Sequence, residues 1–135
     1  MNAKLGLSSL REGDDRLVGD LLNQMQKNQM DYTNTFRDLH PERASTGLEI
    51  WHEDWLSRLV GEEAVLKKMT ERNPVVIPRN HFVESALNTA GYGDMTSFEN
   101  LLDLLSDPFN RERDFGELAE SPPQDAPAYK TFCGT

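Results

Sequence analysis

The side chains with the most chemical potential are scattered along the 135 residues rather than grouped. His40, His52 and His81 fall in separate segments, and His52-Glu53 lacks the second histidine, four residues after the first, that a zinc-protease helix requires. With Cys133 as the single cysteine there is no Cys-x-x-Cys pair, and no Gly-x-Ser-x-Gly elbow is present for a serine nucleophile. Gly91-Tyr92-Gly93 begins like a phosphate loop but has neither the third glycine nor a preceding strand, so it reads as a helix end. Asp114-Phe115-Gly116 spells the magnesium motif of kinases without the catalytic loop, Gly-rich loop and strand lysine that give it meaning, and reads as coincidence. Glu53, Asp54, Glu62 and Glu63 lie on polar helix faces as solvated charge rather than as an acid–base pair. No catalytic, cofactor-binding or metal-ligating residue is therefore assigned. Cys133 is the one reactive group, a thiol two residues from the C-terminus; it is either free to meet an oxidant or an inert solvent-facing side chain.

The structural motif that organises the chain runs through Asn73, Pro74, Pro78, Arg79, Asn80 and His81. Each proline removes a backbone donor and drives the residue before it toward extended geometry, so the stretch cannot be helix interior. It reads as a stiff connector whose Val75, Val76 and Ile77 wedge between flanking helices, with Asn80 as N-cap of the next helix and Glu84 in that helix's first turn. Arg79, Asn80 and His81 are the residues here able to face a ligand.

Around this connector the apolar spacing predicts an all-α fold of about five amphipathic helices. The first places Leu17, Val18, Leu21, Leu22 and Met25 on one face, capped by Asp14 or Asp15. The second carries Tyr32, Phe36 and Leu39 and ends at Pro41. Ser45-Thr46-Gly47 supplies a turn and a capping hydroxyl for the third, which carries Leu48, Trp51, Trp55 and Leu59 inward and His52, Glu53, Asp54 and Arg58 on the wet side. Gly61 bends or breaks the pattern before Val65, Leu66 and Met69 continue the stripe. Phe82, Val83, Ala86, Leu87 and Ala90 form the fourth face, and Phe98, Leu101, Leu102 and Leu105 the fifth, behind a Thr96-Ser97-Phe98-Glu99 capping box. Residues 1–108 are thus a helical region, and 109–135 a Pro-rich extended or disordered tail. The opening Leu5, Leu7 and Leu10 are apolar enough to suggest a cut end, and the chain reads as a fragment.

Net charge of -9 with no Lys/Arg run argues against a nucleic-acid partner, and no apolar run approaches the 18 residues of a membrane span. One cysteine fits a reducing compartment.

Several segments taken together resemble a known family. Lys4-Leu5-Gly6-Leu7, Asp31-Tyr32-Thr33 to Phe36-Arg37, Trp51 and Trp55, Asn73-Pro74 to Ile77-Pro78-Arg79-Asn80-His81, Gly93-Asp94, Pro108-Phe109, Pro122-Pro123 and Thr131-Phe132-Cys133-Gly134-Thr135 are similar to the C-terminal portion of the selenoprotein O (SelO/YdiU) family. The resemblance implies a parent with a kinase-like fold that binds ATP with Mg or Mn and transfers AMP to Ser, Thr or Tyr hydroxyls of proteins. Its nucleotide and metal residues belong to segments upstream, so none is carried over. Cys133 matches the position of the selenocysteine of animal members, which implies a redox role. The implied partners are the upstream kinase-like part and the parent's protein substrates, in the bacterial cytoplasm or in mitochondria if the source is eukaryotic. The isolated fragment is expected to expose apolar surface and to self-associate. The alternative is a self-contained helical protein–protein interaction module.

Overall fold

The structure, a computed structural model, describes residues 1–122. Six α-helices and two short 3-10 turns account for its regular structure, and no strand occurs among the described residues. They gather into two compact units: Met1–Val75 with Phe109–Glu112, and Val76–Pro108 with the described residues from Arg113 onward. The expected all-α fold is observed.

Unit one contains a 3-10 turn at Asn2–Leu5, α1 (Asp14–Lys27), α2 (Tyr32–Asp38), α3 (Glu49–Leu59) and α4 (Val65–Thr70). Its core is built on Trp51 and Trp55, one turn apart on α3, whose rings stack at 5.6 Å. Leu5, Leu21, Phe36 and Leu48 close around them with almost no exposure. Each buried indole removes roughly 150–250 Å² from water, on the order of 4–6 kcal/mol by area. Leu5 and Leu7 are part of this core, so the apolar opening finds its partners inside the chain, whereas Leu10 is 81% exposed.

Several local expectations are corrected. Val60 is extended and Gly61 has φ +81, so the stripe beyond α3 becomes a separate helix, α4, which makes the count six. Gly13 (φ +92) precedes α1, and Asp14 is the helix's first residue rather than its cap. The turn before α3 is present, with Gly47 at φ +84, but no hydroxyl caps the helix; Glu49 instead accepts the Gly47 N–H at 2.9 Å. His52 and Arg58 are not on a wet face. His52 is buried with its Nε2 2.9 Å from the His40 carbonyl and its ring edge-on to Trp55, and Arg58 is covered by the loop after the first 3-10 turn. A helix packed on two sides has little wet face left, which periodicity alone does not reveal.

Unit two holds α5 (Asn80–Gly91), α6 (Thr96–Leu105) and a 3-10 turn at Gly116–Ala119. Arg79, with φ -74 and ψ 132, is the residue whose carbonyl accepts the first helical N–H groups, from Phe82 and Val83. Asn80 therefore lies inside α5 rather than capping it, and Glu84 falls beyond the first turn. The capping box does not form either: Asp94 accepts the Thr96 N–H at 3.0 Å, and Met95 occupies the cap position. α5 does end at the glycine pair, where Gly93 has φ +94 and its N–H returns to Ala90. Phe115 and Leu118, from the stretch expected as tail, are buried in this unit. Residues 123–135 of that stretch, including Cys133, lie outside the described residues.

Two glycines separate steric from backbone cost. A Cβ on Gly6 would lie 2.6 Å from Val65 Cγ1, at a φ of +76, whereas one on Gly61 would meet nothing. We expect Gly6→Ala to cost about 2–3 kcal/mol and Gly61→Ala about 1 kcal/mol, measured as shifts of the urea unfolding midpoint. Equal shifts would contradict the close approach of the N-terminal turn to α4.

Candidate functional site

The connector singled out in the sequence divides between the two units. Asn73, in unit one, is fully buried and its amide is saturated: Nδ2 donates to the Lys4 carbonyl at 2.8 Å, and Oδ1 accepts from Lys4 Nζ at 3.3 Å. Lys4 Nζ also donates to the Arg72 carbonyl at 3.1 Å and lies 5.5 Å from the Phe36 ring centroid. Burial pushes this ammonium below its ordinary range. Pro74 is half-buried beside it. In unit two, Val76 and Arg79 are buried, and Arg79 Nε donates to the Leu118 carbonyl at 3.3 Å. Pro78, Asn80 and His81 are exposed, with the His81 ring 4.3 Å from that of Phe82. Asn73 thus bonds both the backbone and the side chain of Lys4, and Arg79 bonds the Leu118 backbone, whereas Asn80 and His81 are exposed.

The most concentrated charge is elsewhere, in unit one, and sequence reading treated it as wet surface. Asp14, Arg58 and Glu62 have side chains only 2%, 10% and 4% exposed. Arg58 Nε donates to Asp14 Oδ1 at 2.6 Å, its Nη1 to Glu62 Oε1 at 3.2 Å, and its Nη2 to the Ser9 carbonyl at 2.7 Å. Asp14 also accepts the Arg11 backbone N–H and the Asn2 amide. Glu62 accepts from the Ser8 backbone N–H at 3.2 Å and from Lys68 Nζ at 3.4 Å, and Lys68 also bonds the Ser8 hydroxyl. The spacing of Arg58 and Glu62, one turn apart, was the only visible hint of this cluster. Asp14 and Ser8 are far from it in sequence, so nothing local announces them.

These carboxylates are tuned away from proton transfer near neutrality. The Ser8 hydroxyl, followed by Arg58 and Lys68, lowers Glu62 to about 2, and the Arg58 guanidinium holds Asp14 below its ordinary value. A general base is most effective with a pKa near the working pH, whereas these two carboxylates are held ionised by their hydrogen bonds. A hollow of about 310 Å³ opens over it, edged by Glu12, Asp20 and Asp54. Among the described residues no three His, Cys, Asp or Glu side chains converge to hold a metal. Asp114 accepts the Gly116 N–H at 2.9 Å. No helix among the described residues is long and apolar enough to cross a membrane.

Unit two contains a groove of about 370 Å³ between α5, α6 and the second 3-10 turn. Phe82, Ala86, Leu101, Leu104, Phe115 and Leu118 form its apolar walls, with Ser85, Ser97, Asn100 and Glu117 also lining it.

What these arrangements define is a helical segment whose buried charges are committed to internal bonds. Comparison with known proteins then places it. The chain is 42% identical to protein nucleotidyltransferase YdiU of Ruegeria sp. over 98% of its length. Over its whole length it is 44% identical to the YdiU of Brevibacillus brevis and 43% identical to that of Geobacillus kaustophilus. No family model matches the chain. The chain spans only 29–30% of the length of these relatives. By sequence it resembles a portion of the SelO (YdiU) proteins, and a share of this size is consistent with their C-terminal portion.

The charge clamp gives a signed pH dependence. Both carboxylates titrate lower when folded than when unfolded, so the unfolded chain binds more protons as pH falls below the ordinary carboxylate range near 4. Their contribution is complete above that range and is lost as pH falls toward about 2. We expect a flat unfolding midpoint from pH 7 to about pH 5 and a decline below it. Arg58→Met, which strands Asp14, should cost about 3 kcal/mol at pH 7 and flatten the acid decline. An unchanged acid limb in that variant would remove Arg58 from the clamp.

Proposed function

We propose that this chain is the C-terminal helical part of a SelO-type protein nucleotidyltransferase and that it supports the catalytic part without catalysing. One observation carries the reading: similarity near 40% runs along the whole chain yet covers less than a third of each relative. The committed state of Asp14, Arg58 and Glu62 supports it, because the best-positioned ionisable groups already hold the fold. On this reading the whole protein has a kinase-like fold, uses ATP with Mg or Mn, and transfers AMP to Ser, Thr or Tyr hydroxyls of protein substrates. Cys133 acts in it as a redox-sensitive thiol. The bacterial relatives and the single cysteine favour a cytoplasmic setting.

The test is transfer of labelled AMP from ATP to protein, with Mg or Mn, by this chain and by the full-length Brevibacillus brevis relative. Activity is expected in the full-length protein alone; activity in the isolated chain would overturn the reading. For the thiol, Cys133→Ser at the aligned position of a full-length relative should abolish the difference between oxidised and reduced activity. An identical redox response in both proteins would remove Cys133 from that role.

A further inference from the structure

Unit two buries fewer of its apolar side chains than its sequence pattern calls for. Ten residues of α6 include Phe98, Leu101, Leu102, Leu104 and Leu105, yet none of them is buried, and α5 buries only Ala86. Leu87 and Leu102 are 53% and 55% exposed. Short helices are held mainly by burying their apolar face, so a helix this apolar with nothing buried is missing a partner. Part-buried Phe82, Leu101 and Leu104 line a groove there, together with the buried Phe115 and Leu118.

We infer that this groove is the surface on which the remainder of a YdiU-type protein packs, through apolar side chains seated between α5 and α6. The inference rests on the reading above and names the surface that the reading leaves open. Two observations select this occupant. First, the match covers 29–30% of each relative, so roughly seven-tenths of a relative lies outside it and is available as a covalent, fixed-stoichiometry partner. Second, a second copy is disfavoured by charge: the chain carries -9, and the two arginines of unit two's described residues are occupied, Arg79 by burial and Arg113 by Asp103. Pairing two copies would bring like net charges together, with Glu117 of each groove and no free arginine among unit two's described residues to offset them.

Thiol labelling tests this in a Cys133→Ser background. Ser97 lines the groove and is exposed, and Ile50 on α3 of unit one is 79% exposed. Ser97→Cys and Ile50→Cys are labelled with a maleimide in this chain and at the aligned positions of the full-length Brevibacillus brevis relative, cleared of other cysteines. Ser97→Cys is expected to react rapidly in the chain and on the order of tenfold or more slowly in the full-length protein. Equal rates at Ser97→Cys overturn the proposal. If Ile50→Cys alone is protected, the groove is ruled out while the supporting role stands; if neither is protected, both fall. Slow labelling of the isolated chain that speeds up on dilution assigns the groove to a second copy and also overturns it.

Discussion

Burying an indole obliges the chain to find an acceptor for its N–H, and unit one is arranged around meeting that demand twice. Trp51 Nε1 donates to the Leu17 carbonyl at 2.8 Å and Trp55 Nε1 to the Leu5 carbonyl at 3.0 Å. One bond fixes α1 against α3 and the other fixes the N-terminal turn against the same helix. The stacked rings supply the apolar area, while the two N–H groups decide where neighbouring backbone must run. The N-terminal turn held in this way then presents Lys4 to Asn73 and Ser8 to Glu62, so both polar clusters inherit their geometry from the tryptophan pair.

The helices and their inward faces were legible because apolar periodicity is a local signal, and Trp51, Trp55, Phe36 and Leu21 are buried as their spacing requires. Helix ends were less legible. Asn80, Thr96, Asp14 and the Ser45-Thr46 hydroxyls all had the chemistry of caps, but capping depends on one residue's φ and ψ, and Arg79, Met95, Gly13 and Leu48 took those positions. The charge clamp was hidden for a different reason. Asp14 and Arg58 are 44 residues apart, and only the tertiary fold brings them within bonding distance. Asn73 was correctly singled out through its prolines, yet its role as a buried amide paired with Lys4 depends on a contact 69 residues away.

The two units differ in how completely they satisfy themselves. Unit one pairs its buried charges, saturates its buried amide and closes a continuous apolar core. Unit two follows equally regular helical patterning but leaves most of its leucines part-exposed. Such an imbalance is expected when one sequence portion of a larger family protein carries both a self-sufficient core and a surface shaped for something else.

The path of the chain through unit one has a consequence for how it is made. Phe109–Glu112 belongs to that unit, and Arg111 Nη1 donates to the Arg37 carbonyl at 3.1 Å across a separation of 74 residues. A ribosome delivers α1 to α4 first, then all of α5 and α6, and only afterwards the stretch that completes the earlier unit. Unit one can therefore collapse early on its tryptophans but cannot finish until unit two has been synthesised, which ties the last step of one unit's folding to the translation of the other.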